Sequence, residues 1–233
     1  MDKTLRYKGR NVTFCDLDQE DYTDYHLLGG GWYEPRGLEF VSSLNVKGNY
    51  VDVGAYIGNH SMFYALFCPS THVYSFEPQI DIFNKLKKNI EVNNISNCTA
   101  YNLALSDEAG RGAMTIPEWS ITQTSWHTKP GKPCSLGAAM IGVGDCVEIS
   151  TLDSFNLSDV KLMKLDAENM ELKILKGAVK TLEAVEHLFI EIWPQHTCIR
   201  RSVEYNEDVL IFVTKAGFTL RSVFEEDLHY FSR

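Results

Sequence analysis

Residues 49 to 59 read NYVDVGAYIGN, and this stretch decides the fold. The β-branched and aromatic residues of its first half are Tyr50, Val51 and Val53. Such a run predicts a buried strand, and Gly54 and Gly58 then predict a tight turn before the apolar, helix-length segment of residues 60 to 67. Glycines permit positive φ angles and close approach of a ligand, and the amides that open a helix can donate to a polar ligand group. The turn is therefore a candidate binding site.

The spacing of the turn and the acid after the next strand narrow the ligand class. The pattern G-x-x-x-G fits neither the dinucleotide pattern G-x-G-x-x-G nor the P-loop, which favours a ligand without phosphates. Residues 72 to 76 predict a second strand that ends at Glu77 and Pro78. An acid at this place, about 20 residues beyond the turn, binds ribose hydroxyls in open α/β sheets. By itself, the glycine turn could simply be a compact connection between a strand and a helix. The acid at the expected spacing favours the alternative, in which the turn binds a ligand.

Seven segments, in chain order, resemble the FkbM-type family of S-adenosylmethionine-dependent methyltransferases. They are VDVGAYIGNHS, YSFEP, KLKKNIEVNN, NLALSDEAG, ISTLDSF, KLMKLDAENMELKILKGA and FIEIWP, over roughly residues 32 to 193. The alternation of strands with helices, closed by a hairpin, independently indicates an α/β protein with a mostly parallel, doubly wound sheet. The resemblance implies a Rossmann-like sheet of seven strands with the last one antiparallel, and S-adenosyl-L-methionine as the cofactor.

The cofactor-binding residues that these patterns predict lie on the first three strand ends. They are Asp52, Gly54, Ala55, Gly58, Asn59, Glu77, Pro78, Ala104 and Leu105. The glycine turn with Asp52 is expected to hold the methionine part of the cofactor, and Glu77 the ribose. The resemblance places Ala104 and Leu105, at the end of a third strand predicted over residues 98 to 105, beside the adenine ring. In the alternative reading they are the last core residues of that strand.

Acidic residues follow the fourth predicted strand, residues 161 to 166, and the fifth. We predict Asp166, Glu168 and Glu191 as catalytic residues, because the carboxyl ends of these strands share the sheet edge with Gly54. Asp166 could accept a proton, orient the acceptor or bind a divalent ion. Asp166 and Glu168 alone offer too few ligands for a metal, so none is predicted. Alternatively, Glu168 and Glu171 are first-turn acids that complement a helix dipole.

One domain is expected over residues 1 to 233, because no linker-like segment divides the chain. Residues 1 to 48 would form an N-terminal extension or cap, with acids between residues 16 and 24 on a solvated helix. Trp32 and Tyr33 would either close over the cofactor or pack onto the domain.

Residues 117 to 146 predict an irregular loop over the acceptor site. Trp119, Trp126 and His127 either line an acceptor pocket there or belong to a variable surface loop. His196 is a further candidate base. A single helix is predicted over residues 172 to 185.

Composition limits the partners. The chain has 233 residues, 44% of them hydrophobic, and a formal charge of −9, which argues against nucleic acid and anionic membranes as partners. The six cysteines form no C-x-x-C pair or Cys/His cluster, which disfavours structural zinc and a disulfide framework. The absence of an apolar signal core and of a long apolar run predicts a cytoplasmic protein.

The function predicted from these features is S-adenosylmethionine-dependent O-methylation of a sugar or another small hydroxylated acceptor. One alternative is a catalytically inactive cofactor- or partner-binding module on the same fold. Another is a nucleotide-dependent oxidoreductase, which would use the same sheet and ribose acid but would be expected to carry G-x-G-x-x-G.

Overall fold

The computed structural model describes residues 1–115, 140–193, 207–225 and 227–233. The strands are β1 (Lys3–Tyr7), β2 (Arg10–Phe14), β3 (Gly48–Val53), β4 (Ser70–Phe76), β5 (Cys98–Tyr101), β6 (Ala104–Leu105), β7 (Gly110–Thr115), β8 (Met140–Ser150), β9 (Val160–Leu165), β10 (His187–Glu191), β11 (Thr219–Phe224) and β12 (Leu228–Ser232). The helices are α1 (Tyr22–Leu28), α2 (Pro35–Leu44), α3 (Asn59–Phe67), α4 (Ile80–Val92), α5 (Glu171–Lys176), α6 (Val179–Leu182) and α7 (Glu207–Lys215), with a 3-10 helix at Leu152–Phe155.

Seven strands form the central sheet in the order β11-β12-β10-β9-β3-β4-β5. The pairs from β10 to β5 are all parallel, whereas β12 runs antiparallel to both β10 and β11. The predicted α/β fold, with seven strands and an antiparallel last strand, is therefore confirmed. Because parallel strands end at one edge, β3, β4, β9 and β10 bring their carboxyl ends together.

Two apolar cores cover the two faces of this sheet, which is why its inner strands are apolar on both sides. On one face, Tyr50 of β3 is fully buried in a core that includes residues of α2 and α3. On the other, Val51 is buried with residues of α5 and α7. Alternation along β3 therefore places Asp52 on the first face, towards which the N-terminal segment packs.

A second sheet, in the order β6-β8-β7, corrects two predictions. The third strand ends at Tyr101 rather than Leu105, and Ala104 and Leu105 instead pair with Ile149 and Ser150 of β8. Residues 140 to 146 belong to β8, so the prediction of an irregular loop is wrong for them. The rest of that predicted loop, including Trp119, Trp126 and His127, lies outside the described residues.

The helix predicted over residues 172 to 185 is divided into α5 and α6 at Gly177. The Gly177 backbone packs directly against Ser106, and a Cβ added there would overlap the Ser106 carbonyl oxygen. The close approach of these two backbones, which periodicity cannot show, accompanies the break between the helices.

The N-terminal segment packs onto the first face of the sheet. Its first part is a hairpin of β1 with β2. The indole of Trp32 is buried and makes edge-on contacts with Phe14 and Phe63, so Trp32 packs onto the domain. Asp24, expected on a solvated helix, is fully buried instead, where its carboxylate accepts a hydrogen bond from the Asp18 amide (2.8 Å).

Within the described residues, no helix is long and apolar enough to cross a membrane.

The substitution Gly177→Ala is expected to lower the free energy of unfolding by about 1–3 kcal/mol, because the new methyl group would overlap the Ser106 backbone. Urea denaturation measures the effect. The control is Gly110→Ala, where an added Cβ meets nothing within 4 Å. Equal stability of the two variants would contradict the close packing at Gly177.

Candidate functional site

The glycine turn joins the carboxyl ends of β3 and β4. The amides of Gly54 and Ala55 both donate to the Phe76 carbonyl oxygen, at 3.0 Å each. Gly54 has φ +77° and Gly58 has φ +95°, conformations that favour glycine. A Cβ on Gly54 would overlap the Asp166 carbonyl oxygen, and the two backbones therefore meet because Gly54 has no side chain. The close approach that this glycine permits is thus to Asp166, the residue after β9, rather than to the ligand that the sequence analysis expected.

Glu77 lies beside this turn, as predicted, and its carboxylate is fixed by two backbone donors. Its Oε2 accepts from the Tyr56 amide (3.0 Å) and its Oε1 from the Gln79 amide (2.9 Å). The residue is only 3% exposed. Burial raises the pKa of Glu77 to about 7, although the two amide donors act to lower it.

The peptide after Glu77 is held by a residue that the sequence analysis missed. The Asn102 side chain donates to the carbonyl oxygens of Glu77 (2.9 Å) and Pro78 (3.0 Å). Two residues further on, Ala104 and Leu105 are buried in β6. Asn102 therefore ties the Glu77–Pro78 peptide to the chain just ahead of the two residues predicted to lie beside the adenine ring.

Asp52, predicted to hold the methionine part of the cofactor, is fully buried on β3. Its Oδ2 accepts a hydrogen bond from the Ser61 hydroxyl (2.5 Å), which in turn accepts from Ser75 (2.7 Å). Its Oδ1 is buried and has no hydrogen-bond partner in the described part of the chain. Since buried polar atoms are normally paired, this oxygen fits a donor supplied by a bound ligand, such as the ammonium group of a methionine moiety.

Asn59, also predicted to bind the cofactor, holds the N-terminal segment. Its Oδ1 accepts from the Tyr33 amide (3.1 Å), and its Nδ2 donates to the Tyr33 carbonyl oxygen (3.0 Å). This two-way hydrogen bond fixes the backbone of Tyr33 at the first residue of α3. A turn and a distant segment, 26 residues apart in sequence, are thereby joined.

Glu34 and His60, which the sequence analysis did not single out, face each other next to this contact. Their Oε2 and Nε2 atoms lie 3.0 Å apart, and about nine-tenths of each side chain is buried. Glu34 has φ +52°, an uncommon conformation for a residue with a side chain. The N-terminal segment thus places the Glu34 carboxylate next to His60, close to the start of α3.

A buried ion pair lies at the end of β9. Lys164 Nζ is 2.8 Å from Asp166 Oδ2, and Lys164 is 1% exposed. Burial opposes the charged forms of both groups, but their mutual attraction outweighs it, so the pKa of Asp166 is lowered and that of Lys164 is raised. Asp166 is therefore ionised. Lys164 was missed, although a lysine among the apolar residues Leu162, Met163 and Leu165 of β9 is an unusual pattern that could have drawn attention to it.

The predicted catalytic residues Asp166, Glu168 and Glu191 come together. Each offers a carboxylate oxygen, and the three oxygens lie within 4.8 Å of one another. Burial raises the pKa of Glu191 well above its usual value, and the charges of Asp166 and Glu168 raise it further. The hydrogen bond between the Glu191 and Asp166 side chains acts to lower the Asp166 pKa. Acidic groups often cluster in this way without an ion, and the expectation that no metal binds stays a prediction.

Glu171 has a structural role, in line with the alternative reading of this acid. It is buried in the first turn of α5, and its Oε1 accepts a hydrogen bond from the Ala167 amide (3.0 Å). Burial raises the pKa of Glu171 to about 7. His196, the further candidate base, lies outside the described residues.

Comparison with known proteins identifies the family. The pattern of the Methyltransferase FkbM domain matches residues 52–220, well over half of the chain. The chain belongs to this family. FkbM membership confirms the methyltransferase prediction and, with it, S-adenosylmethionine as the cofactor.

The curated relatives that the chain matches are distant in sequence and longer than this chain. A hexuronic acid methyltransferase, AglP, of Haloferax volcanii is 28% identical over 142 residues, which are 60% of this chain and 54% of the relative. Methyltransferase 1 of Beauveria bassiana is 26% identical over 141 residues, 54% of this chain and 57% of the relative. The chain thus matches little more than half the length of either relative.

A solved structure shares the fold. A Clostridium thermocellum protein described as an rRNA methylase superposes with a TM-score of 0.51 at 12% identity, covering 84% of this chain and 93% of its own. At this identity the likeness supports the methyltransferase fold alone.

The substitution Glu77→Gln is expected to change how stability depends on pH. Burial raises the Glu77 pKa from 4.5 to about 7, so the folded state holds this proton more tightly than the unfolded chain. The resulting stabilisation is fully present below about pH 4.5 and is lost as pH rises through about 7. Over this range the free energy of unfolding of the wild type should fall by on the order of 3 kcal/mol more than that of the variant.

Urea denaturation at several pH values between 4.5 and 8 measures this difference. Glu91→Gln, at an exposed position on α4, is the control and should follow the wild type. If the wild type and Glu77→Gln lose stability in parallel, Glu77 does not hold the proton.

Proposed function

We propose that this protein is an S-adenosylmethionine-dependent O-methyltransferase acting on a sugar or another small hydroxylated molecule. The observation that carries the proposal is that the buried Glu77 and Asp52 lie at the same sheet edge as the ionised Asp166. Glu77 and Asp52 can then hold the cofactor while Asp166 contacts the acceptor. We propose that residues 1 to 48 form one unit with the sheet, and the hydrogen bonds between Asn59 and Tyr33 support this.

Cofactor binding is assigned to the ends of β3 and β4, to the turn after β3 and to β6. Glu77 would accept hydrogen bonds from the ribose hydroxyls, because its carboxylate retains lone pairs beyond the two that the amides use. The unpartnered Oδ1 of Asp52 would accept from the ammonium group of the methionine part. Ala104 and Leu105 would lie at the adenine. Gly54, Ala55 and Gly58 shape the turn between these groups, and Pro78 follows Glu77.

The carboxylate cluster is assigned to the reaction. Bound S-adenosylmethionine supplies an activated methyl group on a positively charged sulfur. Asp166 would accept a hydrogen bond from the acceptor hydroxyl, orient its oxygen, and take its proton as that oxygen is methylated. Lys164 keeps Asp166 ionised until then. Glu191 orients Asp166 through their hydrogen bond, and Glu168 adds an acceptor for a second hydroxyl.

A hydroxylated acceptor is favoured by two observations. Carboxylate oxygens grouped within 4.8 Å suit a molecule that presents several hydroxyl donors, as sugars do. A relative that matches 60% of this chain is named for methylation of a hexuronic acid. The carboxylate cluster and the name of this relative together support the proposal of a hydroxylated acceptor.

The substitution Glu77→Ala is expected to weaken S-adenosylmethionine binding about 10- to 100-fold, because charge-assisted hydrogen bonds to the ribose are lost. Calorimetric titration measures the dissociation constant, and circular dichroism checks the fold. Asp81→Ala, an exposed acid at the start of α4, is the matched control and should bind like the wild type. Unchanged affinity in Glu77→Ala would remove the ribose assignment.

The substitution Asp166→Asn is expected to lower kcat about 100-fold or more, while S-adenosylmethionine binds within about twofold of the wild type. Asparagine keeps the shape of the side chain but cannot take the acceptor proton. The assay follows S-adenosylhomocysteine formation over a panel of neutral, amino and acidic sugars. Asp159→Asn, before the opposite end of β9, is the control. A variant as active as the wild type would show that another group takes the proton.

A further inference from the structure

A chain of hydrogen bonds reaches Asp52 from β5 and β4 by way of α3. The Ser61 hydroxyl of α3 donates to Asp52 Oδ2 (2.5 Å), and the Ser75 hydroxyl of β4 donates to the Ser61 oxygen (2.7 Å). Ser75 is also the residue opposite Asp52 in the parallel pairing of β3 with β4. The Cys98 sulfur of β5 lies 3.4 Å from the Ser75 oxygen. Since Asp52, Ser61 and Ser75 are all fully buried, solvent does not compete for these hydrogen bonds.

The protons of this chain all point towards Asp52. A serine hydroxyl has a single proton to donate, and that of Ser75 goes to Ser61. The contact between Ser75 and Cys98 therefore requires the thiol as the donor. Burial raises the pKa of the Cys98 thiol to about 11, which keeps the sulfur protonated. Ser61 thus receives one proton and gives its own to Asp52, and successive hydrogen bonds of one direction strengthen each other.

The local structure of α3 directs the Ser61 side chain to β3. Ser61 is the third residue of α3, and a serine within a helix can donate to the carbonyl oxygen four residues earlier. That oxygen belongs to Ile57, and it accepts instead from the Asn89 side chain of α4 (2.9 Å). The Ser61 hydroxyl is therefore used between two elements rather than within its own helix.

The hydrogen bond from Ser61 fixes the orientation of the Asp52 carboxylate. The last torsion of an aspartate side chain has a broad preference, so a carboxylate without a partner can turn about it. Because both oxygens belong to one planar group, fixing Oδ2 also fixes Oδ1. Oδ1 is buried and has no hydrogen-bond partner among the residues that the structure describes. Asp52 lies two residues before Gly54, so this oxygen is at the sheet edge of the proposed cofactor site.

We propose that Ser61 is a positioning residue for cofactor binding, which holds Asp52 with Oδ1 directed at the ammonium group of S-adenosylmethionine. The proposal rests on the proposed function and adds to it a residue that does not itself touch the ligand. Without the Ser61 hydroxyl, the carboxylate could turn, and Oδ2 would be a buried acceptor without a donor. The ammonium group would then bind less tightly, whereas the contacts of the adenosine part would remain.

Two ligands that differ only in the ammonium group test this role. They are S-adenosylhomocysteine and its deamino analogue, in which hydrogen replaces that group, each titrated by calorimetry. The wild type is expected to bind S-adenosylhomocysteine about tenfold or more tightly than the analogue. The measured quantity is the ratio of the two dissociation constants for one protein. Partial unfolding of a variant weakens both ligands alike, so the ratio reports the contact with the ammonium group.

Ser61→Ala is expected to reduce this ratio about five- to tenfold, because S-adenosylhomocysteine is weakened while the analogue binds within about twofold of the wild type. Ser61→Thr retains a hydroxyl and should keep most of the ratio. Ser70→Ala is the matched control and should have the wild-type ratio. The Ser70 hydroxyl of β4 also bonds to α3, at the Tyr64 carbonyl oxygen (2.8 Å), but from the opposite end of the strand.

The substitution Asp52→Asn shows whether Ser61 acts through Asp52. Asparagine keeps the shape of the side chain but not the charge of a carboxylate, so the ratio should fall about tenfold. Adding Ser61→Ala to Asp52→Asn should then change the ratio by less than about twofold, because the two effects are not independent. Equal reductions by Ser61→Ala in both backgrounds would overturn the proposal, as would a Ser61→Ala variant with the wild-type ratio.

The behaviour of the wild type separates this proposal from the proposed function. If the wild type binds both ligands equally, Asp52 does not hold the ammonium group, and the role of Ser61 is overturned while cofactor binding stands. If the wild type binds neither ligand, the proposed function fails and the role of Ser61 fails with it.

Discussion

The site depends on the contact between the backbone of Gly54 and that of Asp166. The Asp166 amide donates to the Val53 carbonyl oxygen (3.1 Å), and the Asp166 carbonyl occupies the space that a Gly54 side chain would need. The turn that follows β3 and the residues that follow β9 are therefore in direct contact. This contact places the predicted cofactor turn and the proposed catalytic carboxylate side by side.

The second constraint is the burial of charged side chains, and it involves Asp166, the same residue that contacts Gly54. Lys164 and Asp52 occupy paired positions on β9 and β3, on the face of the sheet that the N-terminal segment covers. An isolated buried ammonium would be very costly, so Lys164 requires its ion pair with Asp166, and the ion pair in turn keeps Asp166 charged. For Glu191, burial raises the pKa well above its usual value, and the charge of Asp166 raises it further. The ion pair with Lys164 thus helps to shift the pKa values of Asp166 and Glu191 in opposite directions.

The sequence was sufficient to predict those features that depend only on neighbouring residues in the chain. The run Tyr50 to Val53, the glycine turn and Glu77 lie within about thirty residues, and strand periodicity with turn chemistry predicts each of them. The remaining features depend on contacts between distant segments. Periodicity read residues 98 to 105 as one strand, but Ala104 pairs with Ile149 in another sheet. The break at Gly177 depends on Ser106, and the role of Glu34 depends on His60. None of these partners is visible from the spacing of the residue concerned.

The difference between local features and contacts of distant segments also distinguishes the two binding functions that we propose, for the cofactor and for the acceptor. The proposed cofactor contacts come from β3, β4 and the turn between β3 and α3, which are consecutive in the chain, and from Ala104 and Leu105 of β6. A shared sequence pattern can preserve the consecutive part across distant relatives. The proposed acceptor contacts come from the ends of β9 and β10, which only tertiary packing brings together. Changes at the ends of β9 and β10 can therefore alter the acceptor without disturbing the hydrogen bonds of Glu77. A relative that shares the glycine turn can thus differ in the molecule that it methylates, because different residues would determine cofactor binding and acceptor choice.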